Sequence, residues 1–414
     1  MLTANLSLYD QGGSSRRMME VLRVTSKFLR TLAVLLIAAM MLSATAFAAP
    51  MTYNQLTVPA AYTTGAYGVN EVPEGKSPTT GLDWEGEYRP VLVQISNSDG
   101  ARPHWNMSEA DIVYESLLWG PGHTRYSCLF NDNHPEFVGA VRSARLHHCQ
   151  LRQEWDCPFV FYGGQDLSGT SIYDFFKDNN VPTSMRFDGI KGNYGVLSRT
   201  KDRISPHNAV VNLKKLVEEK WPTNDDGTPY EPVSHAFKFS DTDYTRGYDS
   251  AVKMAFSYAD DYKPSYVYDV DAGVYNRYYN GQQMFDGYTN KPIVASNVIV
   301  QYCETYFYGG ISSRPVVELT GSGVCDVFIG GEHIRGSWSR KAVGDRTIFM
   351  DLNGEEVTLK PGKTFVQIIA SSDTFTYTEG TGKEHEVDVG YEVKAVDYGE
   401  VDASELDNMA SGEK

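Results

Sequence analysis

Hydrophobic and polar positions divide the chain into five stretches. The first holds an unbroken apolar run from Leu32 to Leu42, preceded by Arg23, Lys27 and Arg30 and followed by Ser43-Ala44-Thr45-Ala46-Phe47-Ala48. A basic region, an apolar core of about 7–15 residues and a small-residue end make a secretory signal peptide. Residues 1–48 are therefore expected to be a leader, cleaved after Ala46-Phe47-Ala48. The run is shorter than the ~20 residues that a spanning helix needs, so any membrane attachment would come through an uncleaved leader. Ser15-Arg16-Arg17 resembles a twin-arginine signal, but Met18-Met19-Glu20 does not continue one. The expected location is extracellular or the cell envelope.

Residues 49–88 show no periodicity. Pro59, Gly65, Gly68, Pro73, Gly75, Pro78 and Gly81 punctuate them, and the stretch reads as a flexible tether. From 89 to 235 strand and helix patterns alternate. Val91–Ile95, Ile112–Trp119, Arg125–Phe130, Phe137–Val141 and Phe159–Tyr162 read as strands. Ser143–Trp155, Ser168–Lys177 and Asn208–Trp221 read as helices. From 253 to 370 short β-prone runs flank Asn280-Gly281, Gly330-Gly331 and Asn353-Gly354, a strong hairpin signal. Here Val324–Ile329 is expected to pair with Glu332–Trp338, and Thr347–Leu352 with Glu355–Leu359. Residues 371–414 form an acidic, weakly apolar tail, expected to be mobile apart from a short strand around Tyr391–Val396. The predicted fold class is α+β: an N-terminal mixed α/β domain followed by an antiparallel all-β C-terminal domain.

Composition narrows the function. The chain has 414 residues, 41% hydrophobic and 12% aromatic, which suits folded domains rather than disorder. Its formal charge is −16. The leader carries Arg16, Arg17, Arg23, Lys27 and Arg30 against only Asp10 and Glu20, so the remainder is more acidic still. That argues against nucleic acid as a partner and against electrostatic docking on anionic lipid. The five cysteines are an odd number, so at least one is unpaired or bridges chains. Cys303 and Cys325 lie on neighbouring expected strands and could pair; buried thiols are the alternative. No Cys-x-x-Cys or similar spacing implies a metal, and no motif implies a cofactor.

Three clusters could carry chemistry. Gly139-Ala140-Val141-Arg142-Ser143-Ala144-Arg145 falls where a strand hands over to a helix. Ser143 is placed to cap that helix, and its free N–H groups with Arg142 and Arg145 would suit a carboxylate or phosphate. Alternatively these arginines pair with Glu115 or Asp111 and lock a sheet edge. Arg199-Thr200-Lys201-Asp202-Arg203-Ile204-Ser205-Pro206-His207-Asn208 offers His207 as a base, a sugar-binding donor or a structural hydrogen-bonder, with Asn208 as a helix cap. Strand alternation puts Asp111, Val113 and Glu115 on one face. Two carboxylates there suit acid/base work or ion pairs with the arginines. Gly163-Gly164 ends a strand and leaves room for a ligand near the backbone. His147-His148 are adjacent and expected to point apart on a helix. There is no Gly-x-Ser-x-Gly, no His-Glu-x-x-His and no P-loop.

Several of these blocks recur together in one family. They are Ser77-Pro78-Thr79-Thr80-Gly81-Leu82, Arg89-Pro90-Val91, Asn97, Ala101-Arg102-Pro103, Ala110-Asp111-Ile112-Val113-Tyr114-Glu115, Thr124-Arg125, Val141-Arg142-Ser143-Ala144-Arg145 and Pro206-His207-Asn208. Further along come Tyr275-Asn276-Arg277, Asn280-Gly281, Asn297-Val298-Ile299-Val300, Gly336-Ser337-Trp338 and Pro361-Gly362-Lys363-Thr364. In this order, from about 77 to 370, they resemble the YerB-like family of bacterial envelope lipoproteins. The resemblance implies an envelope location and two uncharacterised domains, not a reaction. The chain departs from the family pattern in four places. No cysteine precedes Cys128, where a lipobox would stand, and Ala140 replaces a usual proline. Phe161-Tyr162-Gly163-Gly164-Gln165 replaces a more polar, histidine-containing strand end, and Met284 replaces a common histidine.

Taken together, the residues expected to line a ligand site are Arg142, Ser143, Arg145, His207, Asn208, Glu115 and Arg125. The expected partner is an anionic or sugar-containing envelope ligand or another protein. The alternatives are a hydrolase or transferase on cell-wall polymers, with Glu115 or Asp111 as acid/base, and a structural assembly factor.

Overall fold

The structure is a computed structural model that describes residues 70–396 apart from 120–122, 168, 242–248, 259–261, 309–314, 371–373 and 388–393. The leader expected at 1–48 lies outside the described residues, as does the tail after 396. No described helix is long and apolar enough to cross a membrane.

The main strands in chain order begin with β1 (Val91–Ser96), β2 (Ile112–Trp119), β3 (His123–Phe130), β4 (Phe159–Phe161) and β5 (Arg186–Asp188). Next are β6 (Lys253–Ser257), β7 (Pro264–Asp269) and β8 (Val274–Tyr279). Last are β9 (Asn297–Tyr302), β10 (Gly321–Ile329), β11 (Glu332–Arg340), β12 (Ile348–Asp351), β13 (Thr364–Ile369) and β14 (Thr374–Thr378). The helices are α1 (Leu146–Trp155), α2 (Ile172–Asp178) and α3 (Leu213–Glu219).

Strands from both halves of the chain join one central sheet, ordered β12-β11-β10-β9-β13-β2-β3-β1-β4-β5. The seam is the parallel pairing of β2 with β13, Ile112 opposite Thr364 through Glu115 opposite Gln367. At one end β1, β4 and β5 run parallel. At the other, β9 to β12 form an antiparallel meander in which β10 and β11 make the expected hairpin. A second, antiparallel sheet is built around β8-β7-β6-β14.

Both faces of the central sheet are covered, so its strands are buried along most of their length, as all six residues of β1 are. Alternation sorts the side chains. Val113, Leu117, Tyr126 and Cys128 face one core with Phe256, Tyr266 and Phe375 of the second sheet. Tyr114 and Leu129 face the other core with Leu151 and Trp155 of α1 and Phe176 of α2. The Trp155 indole N–H donates to the Tyr114 hydroxyl at 2.8 Å, which satisfies the one polar atom of a fully buried ring.

Several expectations need correction. The expected tether is packed from its second half on. Ser77, Thr79 and Thr80 are buried, and their hydroxyls reach Asp132 and Asp111. Polar packing of this kind leaves no hydrophobic trace. The expected tail begins with structure as well: β14 pairs with β6, and Glu384–Glu386 pairs with β14. A strand at Lys394–Val396 matches the end of the one expected there. The third helix starts later than expected, because Ala209–Val211 is a short strand pairing with Leu197–Arg199 and Val138–Gly139. β-Branched Val210 and Val211 favour that role. The five cysteines are all buried free thiols, so Cys303 and Cys325 do not pair. The hairpin expected at Thr347–Leu352 and Glu355–Leu359 forms in short form: Met350 bridges Glu356, flanked by Asp351 N donating to Glu355 O at 2.9 Å and Val357 N donating to Phe349 O at 2.8 Å.

Candidate functional site

The site is organised by which face of the sheet each side chain takes. Arg125 on β3 stands opposite Ser116 on β2 and Ser96 on β1, on the helix-covered face. Glu115 stands opposite Tyr126, on the face toward the second sheet. One residue of register therefore separates the two groups that the sequence placed together.

Glu115 is fully buried and its partner is Arg277 on β8, not Arg142 or Arg145. Arg277 Nη2 donates to Glu115 Oε2 at 2.5 Å, and both side chains are fully buried. Gln367 Nε2 donates to the same oxygen at 3.0 Å. The Thr124 hydroxyl at 2.6 Å, the Asn97 amide at 3.1 Å and the Tyr262 hydroxyl serve Oε1. Arg277 Nη1 meets the Tyr266 hydroxyl at 2.5 Å and Gln367 Oε1 at 3.2 Å. Burial opposes the charge on Arg277, but Glu115 together with Tyr126, Tyr266 and Tyr262 outweighs it and holds the guanidinium well above its ordinary pKa. This carboxylate is committed to an ion pair between the two sheets.

Asp111 is committed elsewhere. It lies just before β2, and its Oδ2 accepts from the Asn131 and Asp132 N–H groups at 2.8 and 3.0 Å and from the Thr79 hydroxyl at 2.9 Å. Burial, then the charge of Asp132, raises it to about 7. The acid/base pair expected of Asp111 and Glu115 is not assembled.

The arginines do assemble. Three parallel strands end here, at Ser96, Phe161 and Asp188, and the loops that leave them carry the polar groups. Arg142 is pinned by its backbone: its N–H donates to Gln94 O at 2.9 Å and its C=O accepts from Tyr162 N at 3.1 Å. Its side chain is half-buried, and its guanidinium has no hydrogen-bond or ion-pair partner among the described residues, with Nε out of solvent. Arg125 is 4% exposed. Nη1 donates to Ser143 O, while Nε is buried without a partner among the described residues. Arg145 is buried in extended conformation at the start of α1, and its Nη1 donates to Ala144 O at 2.9 Å. Burial, then Arg145 and Arg142, holds Arg125 well below its ordinary pKa; burial, then Arg199, lowers Arg142.

Ser143 is not a helix cap, because α1 starts three residues later; its contribution is the carbonyl that holds Arg125. Asn208 is not a cap either. Asn212 caps α3, accepting from Lys215 N at 2.8 Å. Asn208 instead accepts from Arg199 Nη1 at 2.7 Å and donates to Thr200 O at 3.0 Å. Arg199 lies over the Tyr162 ring at 4.4 Å. His207 joins the group beside Gly100, where any side chain would strike the imidazole at 2.6 Å. Its Nδ1 is 3.3 Å from the Ser98 hydroxyl. Burial, then Arg142, Arg203 and Arg125, lowers its pKa.

His147 and His148, expected to point apart, converge on Ser116 at 3.1 and 3.2 Å. Arg145 N donates to His148 Nδ1 at 3.0 Å, so the neutral ring carries its proton on Nε2 and donates it to Ser116. Burial pushes both imidazoles down, His147 to about 3. Adjacent helical residues diverge in mid-helix, but in this first turn both rings fold onto the same buried strand hydroxyl. Arg199, which opens the second sequence cluster with no role assigned to it there, and Tyr162, at the strand-end Tyr-Gly-Gly, also join the site. At Gly164 a Cβ would meet Ile172 Cδ1 at 2.0 Å, so that glycine serves packing against α2. A cavity of about 490 Å³ lies elsewhere, among Asn70, Lys76, Phe237, Phe239 and Glu356, and touches none of these groups.

Family models match two segments of this chain. Residues 79–225 match "Protein of unknown function (DUF3048) N-terminal domain" and residues 252–366 match the corresponding C-terminal domain. The chain belongs to the YerB-like family. It is 28% identical over 315 residues to "Putative lipoprotein YerB" of Bacillus subtilis (strain 168), covering 74% of this chain and 90% of that one. The crystal structure of YerB protein from Bacillus subtilis is similar with a TM-score of 0.60 and 26% identity, over 72% of this chain and 99% of that one. In this YerB-like chain every arginine of the cluster falls in the N-terminal family segment. The Glu115–Arg277 pair ties that segment to the C-terminal one.

Proposed function

We propose that the protein is an envelope ligand-binding protein that holds an anionic group at Arg125, Arg142 and Arg145, with Arg199 and His207 at the mouth of the site. An envelope location follows the lipoprotein name of the relative. One observation carries the binding reading: Arg125 is buried beside two other guanidiniums, and neither it nor Arg142 pairs with a carboxylate among the described residues. Arginine does not shed its proton in proteins. An uncompensated buried charge costs several kcal/mol, and an incoming anion would offset that cost. A hydrolase reading has less support, because Glu115 is engaged by Arg277 and Asp111 by Thr79, Asn131 and Asp132, both away from the Arg125 cluster.

Thermal unfolding of the purified protein against cell-wall fragments, sugar phosphates and nucleotides tests this. A ligand at 100 times its Kd stabilises by about 2.7 kcal/mol. The expected result is a raised midpoint for the wild type and none for Arg142→Ala. A wild type whose midpoint moves with no anion would sink the reading.

A further inference from the structure

We infer that the group held at this site is the dianionic phosphate of a phosphomonoester; this rests on the anion-binding reading and names its ligand class. The first argument is charge. Arg142 and Arg145 both act on Arg125, Arg199 acts on Arg142, and no described carboxylate pairs with Arg125 or Arg142. A carboxylate or a phosphodiester brings one negative charge and leaves most of that repulsion standing. A phosphomonoester brings nearly two, with three strong acceptor oxygens that can serve separate guanidiniums. The second is the backbone. Arg145 opens the ten-residue helix α1, so the positive end of its dipole lies at the same place. The third is the set of donors left over. Arg125 Nε and Arg142 Nε are buried with nothing to donate to among the described residues, and Arg142 is fixed from both sides through its main chain. A loop held this firmly around an unanswered guanidinium is preorganised for an anion with several oxygens.

The test uses calorimetry on the purified protein with glycerol 3-phosphate, sulfate, acetate and diethyl phosphate at pH 5.0 and 7.5. A phosphomonoester takes its second charge near pH 6. Its affinity should therefore rise about tenfold between those pH values, as the dianion grows from about a tenth of the ester to nearly all of it. The arginines stay charged throughout. His147, His148 and His207 all lie below the ordinary imidazole pKa, and Asp202 stands beside Arg203 at the mouth. Charging of His207 at acid pH would strengthen anion binding there, the opposite trend. Sulfate, dianionic at both pH values, reads that protein contribution alone and should not tighten as the pH rises. Acetate and diethyl phosphate should bind at least tenfold more weakly than the monoester at pH 7.5. Arg142→Ala should lose at least tenfold for the monoester, and Arg142→Lys, which keeps the charge but not the fork, should fall between.

Equal binding of acetate or diethyl phosphate, lost in Arg142→Ala, would leave the site standing and overturn the phosphomonoester. So would a monoester affinity that follows sulfate across the pH range. No anion binding at all would overturn the anion-binding reading with it. Vesicles of phosphatidic acid in phosphatidylcholine separate the sources. Capture that depends on Arg142 places the phosphomonoester on a lipid, and calorimetric binding without capture places it on a soluble ester.

Discussion

Arg277 and Arg125 are both buried guanidiniums packed over the same sheet, on opposite faces, and they differ in what meets them. Arg277 finds a carboxylate at 2.5 Å and phenol and amide oxygens around it. Arg125 finds one carbonyl and two further arginines. The first arrangement is complete within the chain and binds the two family segments together. The second is incomplete within the described chain. A buried charge with its counter-charge in place is architecture; a buried charge without one is what the proposed anion would answer.

The comparison breaks most visibly at Arg277. Arg277→Ala leaves Glu115 buried and unpaired and should cost about 3–5 kcal/mol, read by urea unfolding. Replacing both partners with apolar residues, Glu115→Leu with Arg277→Met, should cost much less than Arg277→Ala alone. A double variant as unstable as the single would mean that the ion pair is not what the network protects.

Asp111 is an intermediate case: a buried carboxylate held by hydroxyl and N–H groups, raised to about 7 by burial and by Asp132. Because its folded pKa lies above the unfolded value, its contribution to stability is present below about pH 4 and is lost as the pH rises through about 7. Unfolding free energy should fall over that window by up to about 1.4 kcal/mol per pH unit. Asp111→Asn should flatten the slope. An unchanged slope in that variant would assign the pH dependence to other groups.

The smallest expected effect is at Arg125. Arg125→Met should be neutral or stabilising, by up to about 2 kcal/mol, in buffer free of phosphate and sulfate. Loss of several kcal/mol on that substitution would mean that Arg125 is compensated within the protein, and the contrast with Arg277 would disappear.

Much of this was legible in the sequence, and the remainder has physical reasons for being hidden. Apolar runs marked β1 to β4, the hairpin turn at Gly330-Gly331 marked β10 and β11, and the handover from strand to helix marked Arg142 and Arg145. Arg125 carried no local sign of its partners, because it meets them from a different strand. Glu115 was misassigned because alternation gives the face but not what covers it, and Arg277 lies 162 residues away. Ser77, Thr79 and Thr80 read as linker because their contacts are hydroxyl hydrogen bonds, which hydrophobic patterning does not register.

The place of β13 has a consequence for how the chain is assembled in time. Its six residues, Thr364–Ile369, lie between β2 and β9, pairing in parallel with both. Synthesis delivers the two flanking strands long before the one that separates them, so β2 and β9 each wait with a naked edge. Exposed edges recruit other strands. The nascent protein stays open to pairing with its own kind until β13 arrives, and a chain cut short before Thr364 would keep both sticky edges for life.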